Sequence, residues 1–136
     1  MEPTLFDSDQ ILVNTQIYDF SSPIAGEIVV FESVHSKRRQ EIKRVIGVPG
    51  ENITLKQGSL YVNDEIREEL YLKGLPHYIG LDEFSYHLET KQYFLLGDNR
   101  AHSTDSRTFG PVMENQIAGK ALLRYWPIKR AVYKIH

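Results

Sequence analysis

Two stretches of this sequence put polar side chains where chemistry is possible. The first is Gly97-Asp98-Asn99-Arg100-Ala101-His102-Ser103-Thr104-Asp105-Ser106-Arg107-Thr108-Phe109-Gly110. It follows the apolar run Tyr93–Leu96, and its only large hydrophobic side chain is Phe109. Such a loop is either a series of Asx and Ser/Thr turns or a scaffold held rigid by its own hydrogen bonds and ion pairs to present one or two groups. Asp105 and Arg107 are spaced to pair within it. The second stretch is Glu41-Ile42-Lys43-Arg44-Val45-Ile46-Gly47-Val48-Pro49-Gly50-Glu51, where Lys43 and Arg44 interrupt an apolar strand pattern. Successive strand residues point to opposite faces. One of the two bases therefore faces solvent or a carboxylate, and the other can face apolar surroundings. Burial disfavours the charged form of a lysine, and a lysine that loses its proton near neutral pH can serve as a general base. A salt-bridged strand pair explains the same residues, and spacing alone favours it.

Other chemistries lack their residues. Cysteine is absent, which removes disulfides, thiolate nucleophiles and Cys-bound zinc. The histidines (His35, His77, His87, His102 and His136) show no His-Glu-x-x-His and no paired spacing on a helix face. No cofactor or metal site is read from the sequence. Gly47-Val48-Pro49-Gly50 contains a proline and reads as a turn, not a phosphate loop. With 16 basic and 18 acidic side chains the net charge is -2, which gives no general attraction to nucleic acid.

The elements that must position these residues are short. Ile11–Val13, Ile28–Phe31, Val45-Ile46, Ile53–Leu55, Leu60–Val62, Tyr93–Leu96 and Ala121–Trp126 are rich in β-branched and aromatic residues, which suit a pleated, half-buried surface. Pro49-Gly50, Gln57-Gly58, Asn63-Asp64 and Gly97-Asp98-Asn99 mark turns between them. Thr54-Leu55 and Tyr61-Val62 read as a hairpin closing over Gln57-Gly58. Sustained helical periodicity is missing; Glu65–Leu72 and Met113–Ile117 are candidates for short helices. Many short strands with close turns predict an antiparallel sandwich or partly closed barrel.

The 136 residues read as a single domain. Asp64–Thr90, rich in charge, Tyr and His, reads as an inserted lobe at about 64–90 or as a long surface excursion. Lys37-Arg38-Arg39 reads as a solvated hairpin tip. Lys120, Arg124, Lys129, Arg130 and Lys134 form a basic C-terminal stretch. It suits either anionic lipid, at about 1 kcal/mol per basic residue, or an edge strand protected from aggregation. Apolar runs reach only four residues, whereas a membrane-spanning helix needs about 20.

Taken in order, Met1-Glu2-Pro3-Thr4-Leu5, Gly26–Phe31, Lys43–Glu51, Gly97–Arg107, Gly119-Lys120-Ala121 and Tyr125-Trp126-Pro127 closely resemble the sequence boxes of bacterial type I signal peptidases. The resemblance runs from Met1 to Pro127. It implies a mostly β fold, in which signal-peptidase/LexA-like antiparallel sheets form a partly closed barrel with few short helices. It implies a serine endopeptidase with a Ser–Lys dyad that removes signal peptides from exported preproteins after small residues of the A-x-A type. Lys43 matches the general base and Ser103 the serine that orients it. Asp105 and Arg107 match the ion pair behind the loop, with Arg44 and Asp98 as further support. Met1, Pro3, Thr4 and Leu5 match the segment directly after the nucleophile. Met1, Pro3, Gln40 and Ile42 are the expected substrate contacts, with the extended substrate added to a sheet edge near Gln40–Ile42.

The family's nucleophilic serine would lie one position before Met1, and its oxyanion donors there and slightly upstream. Ser8 is no substitute, since it sits at a turn before Asp9 where the family usually has Gly. The chain as written is therefore expected not to turn over substrate. The expected partners are signal peptides and a membrane surface, reached through an N-terminal anchor, with no nucleic acid. The expected location is the cell membrane, with this domain on the extracytoplasmic side. The alternative is a non-catalytic relative that binds exported precursors as an assembly or chaperone factor. A LexA-like self-cleaving domain fits the Gly97–Arg107 box and the Tyr125-Trp126-Pro127 ending less well.

Overall fold

The computed structural model describes residues 1–34, 39–72 and 83–127. Ten strands form in chain order: β1 (Gln10–Asn14), β2 (Ile28–Glu32), β3 (Gln40–Gly47), β4 (Asn52–Lys56), β5 (Ser59–Val62), β6 (Glu65–Ile66), β7 (Phe84–His87), β8 (Gln92–Leu96), β9 (Val112–Met113) and β10 (Ile117–Trp126). One α-helical turn, α1 (Ser106–Phe109), and four 3-10 segments complete the described residues. Every apolar run singled out in the sequence lies within a strand. All pairings are antiparallel.

The strands make two sheets, one ordered β1-β10-β2-β3-β8-β9 and the other β6-β5-β4-β7. The larger sheet is open, with β1 and β9 at its edges. The smaller packs on one of its faces through Ile46, Phe94 and Leu96 from the large sheet and Ile53, Leu55 and Leu60 from the small one. Alternation sends Val45, Tyr93 and Leu95 to the opposite face, where they meet Val29, Phe31, Val112 and Ile117. Both faces of β3 and β8 are thus buried, which is why Tyr93–Leu96 is an unbroken apolar run. A third cluster joins Leu5, Ile28 and Ala121 to Met1, Ile11 and Ile42.

The β4–β5 hairpin forms as expected, with Leu55 opposite Leu60 and Lys56 opposite Ser59. Its two-residue turn has Gln57 at φ 51 and Gly58 at φ 69, the left-handed pair that suits the strand twist. Residues 64–72 and 83–90 contribute β6 and β7 to the small sheet, together with a 3-10 segment, Leu70–Leu72, which packs Leu72 inside. Residues 73–82 lie outside the described residues.

Three sequence expectations are corrected. The Glu65–Leu72 candidate helix is instead strand β6 at Glu65–Ile66, held by pairing with Val62 and Tyr61, followed by a 3-10 turn at Leu70–Leu72. The Met113–Ile117 candidate helix is only a 3-10 turn, Glu114–Gln116, set between β9 and β10. Backbone pairing on either side leaves no room for a longer helix. Nor is the basic stretch an edge strand, for β10 lies between β1 and β2. There Lys120 pairs with Glu27 and Arg124 with Asp9. Lys129, Arg130 and Lys134 lie outside the described residues, as do Lys37 and Arg38 of the expected hairpin tip. Among the described residues no helix is long and apolar enough to cross a membrane.

Candidate active site

β3 is paired unevenly. On one side β2 follows it from Gln40 to Arg44. On the other, β8 reaches only Arg44, Val45 and Gly47. Among the described residues no strand pairs with Gln40–Lys43 on that side, so a short sheet edge stays open there. β8 ends where it would come opposite Lys43, and the chain turns at Gly97 into the polar loop.

Gly97 brings Lys43 and Ser103 together. A Cβ placed on this buried glycine would overlap the Ser103 hydroxyl oxygen and stand 3.7 Å from Lys43 Cδ. The Ser103 hydroxyl and the Lys43 stem therefore lie against the same bare face of Gly97. Ser103 Oγ is buried and has no hydrogen-bond partner among the described residues. The Lys43 side chain is 15% exposed, and its Nζ lies 3.6 Å from Glu41 Oε2. Ser33 Oγ donates to the other oxygen of Glu41 at 2.6 Å. Strand alternation separates the two bases of β3 as expected, and both meet carboxylates.

The loop is held by its own polar groups. The fully buried Asp105 caps α1 and accepts from Arg107 Nε and Nη2, each at 2.7 Å. It also accepts from the Gly97 backbone N–H at 3.0 Å. Arg107 Nη1 donates to the Arg100 carbonyl at 2.7 Å. Ser106 Oγ accepts from the Leu95 N–H at 2.9 Å, tying α1 to β8. The expected Asp105–Arg107 pair is present, and it fixes Gly97 directly.

Arg44 is 1% exposed. Its Nε and Nη2 donate to the two oxygens of Asp98 at 2.9 and 2.8 Å, and Nη1 donates to the Gly26 carbonyl at 2.9 Å. This bidentate fork suits arginine and not lysine. Thr4 Oγ1 donates to Asp98 as well. The guanidinium lies 3.9 Å from the centre of the Tyr71 ring, within cation–π range. Burial pushes the Tyr71 hydroxyl well above its ordinary value of 10.0, with the Glu69 carboxylate adding to the effect.

The expected substrate contacts divide. Met1 and Ile42 are half-buried and pack on the Leu5–Ile28–Ala121 cluster. Pro3 is half-buried in a turn in which the Thr4 and Leu5 N–H groups bond to the Met1 carbonyl. Gln40 is exposed at the start of the open edge. The Met1 amine is held below its ordinary value of 8.0, first by burial and then by the positive charge of Lys43. Ser8 takes a left-handed backbone at φ 71, as expected of a turn position that suits glycine.

Glu69 and Tyr71 were not singled out in the sequence; Glu41 and Gly97 entered only as members of the two stretches, and Thr4 only in the segment matched after the nucleophile, none with the role described here. Only Gly97 carried a usable signal, a glycine at the junction of a buried strand and a polar loop. Among the described residues no cluster of His, Asp or Glu is arranged to hold a metal ion.

The sequence profile described as "Signal peptidase, peptidase S26" matches residues 1–126. Over 135 residues the chain is 36% identical to "Probable signal peptidase I-2" of Synechocystis sp., covering 96% of the chain and 61% of that protein. It is also 36% identical over 152 residues to "Signal peptidase IB" of Staphylococcus aureus, covering 100% of the chain and 78% of that protein. Among solved structures, a signal peptidase I from Enterococcus faecalis superposes with a TM-score of 0.64 at 29% identity, covering 74% of this chain and 97% of that one.

Proposed function

The chain belongs to the signal peptidase family, peptidase S26, and we propose that its site is the base side of a Ser–Lys endopeptidase that removes signal peptides from exported preproteins. The observation that carries this reading is the buried, unpartnered Ser103 hydroxyl beside the Lys43 stem on the bare face of Gly97. A buried hydroxyl left unbonded costs roughly 1–3 kcal/mol, which makes a functional reason for it reasonable. The Lys43 stem lies against the same face of Gly97, and its amine is the partner this reading assigns to the hydroxyl.

The nucleophile in this reading is a serine hydroxyl joined directly ahead of Met1, which packs on the same apolar cluster as Ile42, the residue before Lys43. Lys43 takes the hydroxyl proton as the oxygen bonds to the substrate carbonyl carbon. Ser103 holds the amine in line. The C–N bond breaks, the proton passes to the departing amine, and water, activated by the same lysine, hydrolyses the acyl-enzyme. The substrate lies extended along the open edge at Gln40–Lys43. Met1 and Ile42 wall shallow pockets beside it, which favours small residues of the A-x-A type before the cut. An N-terminal anchor would hold this domain against the extracytoplasmic face of the membrane.

The test is a signal-peptide cleavage assay on three polypeptides: residues 1–136, the same chain behind a short leader ending in Ser, and that leader ending in Ala. Cleavage by the Ser form alone, abolished by Lys43→Ala, is the expected result. Equal cleavage by all three, or by the Lys43→Ala form, overturns the reading. Tight peptide binding without cleavage in any form would instead indicate a binding factor.

A further inference from the structure

We propose that Glu69 and Tyr71, which lie at the Leu70–Leu72 segment following β6, are positioning residues for the Lys43–Ser103 pair. The proposal rests on the reading of the site given above. Glu69 accepts from both terminal nitrogens of Arg100, at 2.7 and 2.5 Å. Both partners are almost fully buried, at 1% and 4% exposure. The Tyr71 hydroxyl donates to Glu69 at 2.6 Å and accepts from Arg100 Nη2 at 3.2 Å. Arg100 Nε in turn donates to the Gly97 carbonyl at 3.0 Å. Gly97 is thus held at its N–H by Asp105 and at its carbonyl by Arg100. Only the second hold is anchored outside the loop.

Tyr71 supplies a second anchor. Its ring faces the Arg44 guanidinium at 3.9 Å. Arg44 follows Lys43 in β3, and its partner Asp98 follows Gly97. The residue after Lys43, and Gly97 against whose bare face Ser103 lies, are therefore both tied to one short segment beside the small sheet. Fixed geometry at a reacting pair matters because a displacement of about 1 Å can cost about 100-fold in rate. The loop is already tied to β8 through Ser106 and to β3 through Asp98, and the Glu69–Tyr71 contacts add a hold on Arg100 and on Arg44 from outside both. Glu69 and Tyr71 act through Arg100 and Arg44 to hold the loop and β3 in register.

The test uses Glu69→Gln and Tyr71→Phe, with Glu69→Asp as the conservative control. Each is verified as folded by circular dichroism and amide resonances at the assay temperature. In the chain behind a leader ending in Ser, Glu69→Gln is expected to lower kcat by about ten-fold or more. KM is expected to stay within about two-fold, and Glu69→Asp to recover part of the loss. In the chain without that leader, the Lys43 Cε and Ser103 Cβ resonances are expected to shift in Glu69→Gln and Tyr71→Phe. Folded variants with wild-type kcat and wild-type resonances overturn the proposal. If Glu69→Gln does not fold, Tyr71→Phe, which removes a single hydroxyl, decides it. A parent chain that fails to cleave, or that cleaves without Lys43, refutes the reading of the site instead. The resonances then still decide the positioning role.

Discussion

Ser103 fills the space that a side chain at Gly97 would need. A methyl group on Gly97 would overlap Ser103 Oγ and stand 2.7 Å from Ser103 Cβ. The glycine is required here by close approach, for its φ is not in the left-handed region.

Gly97→Ala is therefore expected to push Ser103 off the Lys43 stem. Cleavage by the serine-led chain should fall by about 100-fold. Adding Ser103→Gly should restore the stability lost but not the activity. Thermal melts alongside cleavage rates check both halves, and recovery of activity in the double variant would contradict the account.

Ser103→Ala separates stability from function. The buried hydroxyl has no hydrogen-bond partner among the described residues. Its removal should leave stability unchanged or raise it, by up to about 1–2 kcal/mol. The same change should lower cleavage by at least about 100-fold, as expected for loss of a group that serves the general base. Urea denaturation and single-turnover rates measure the two effects, and a marked loss of stability would show that the hydroxyl is satisfied in solution.

Asp98 is the hub of a fully buried ion pair. Asp98→Ala leaves Arg44 buried without its partner, which costs about 3–5 kcal/mol when such a pair is broken from one side. Thr4→Val removes one further donor to Asp98 and should cost about 1 kcal/mol. Equal losses from the two variants in urea denaturation would mean that Arg44 finds another acceptor.

Glu27 gives an acid limb to stability. Burial alone would raise its carboxyl, but hydrogen bonds from Lys120 and Tyr18 and the Lys120 charge outweigh it and hold the group below its ordinary value of 4.5. A carboxyl lowered in the folded state stabilises above the unfolded value, and that stabilisation is lost as pH falls through the folded one. Glu27→Gln should be less stable than the parent near neutral pH, with the gap closing below about pH 4.5. Melting midpoints across that range test the sign, and a gap that widens in acid would reverse it.

Much of this was legible in the sequence because the strands are short, apolar and bounded by turn residues. Both faces of β8 are buried, and Tyr93–Leu96 says so directly. The Gln57-Gly58 turn needed positive φ, and its residue types show it. Asp105 and Arg107 were legible as a pair two residues apart. Less legible was the wiring over long separations. Thr4 and Asp98 are 94 residues apart, and Glu69 and Arg100 are 31 apart. No local pattern marks such contacts. Glu69 and Tyr71 were hidden for a further reason: a charged, Tyr-rich stretch looks like solvated surface until a buried arginine is seen to need it. The position of β10 was misread because its basic residues look the same whether they face water or the half-buried carboxylates Glu27 and Asp9.

The Glu69–Arg100 bridge also bears on how the molecule comes apart. Proteins open in cooperative units whose opening energies differ. A small sheet joined to a larger one only by apolar packing could open by itself and leave the rest intact. Here such an opening would also strand Arg100, a buried cation that holds the Gly97 carbonyl. Detachment of the Leu70–Leu72 segment and loss of order around Lys43 become one event. Amides of the loop and of the neighbouring small-sheet strands would then share a single rate of exchange with solvent.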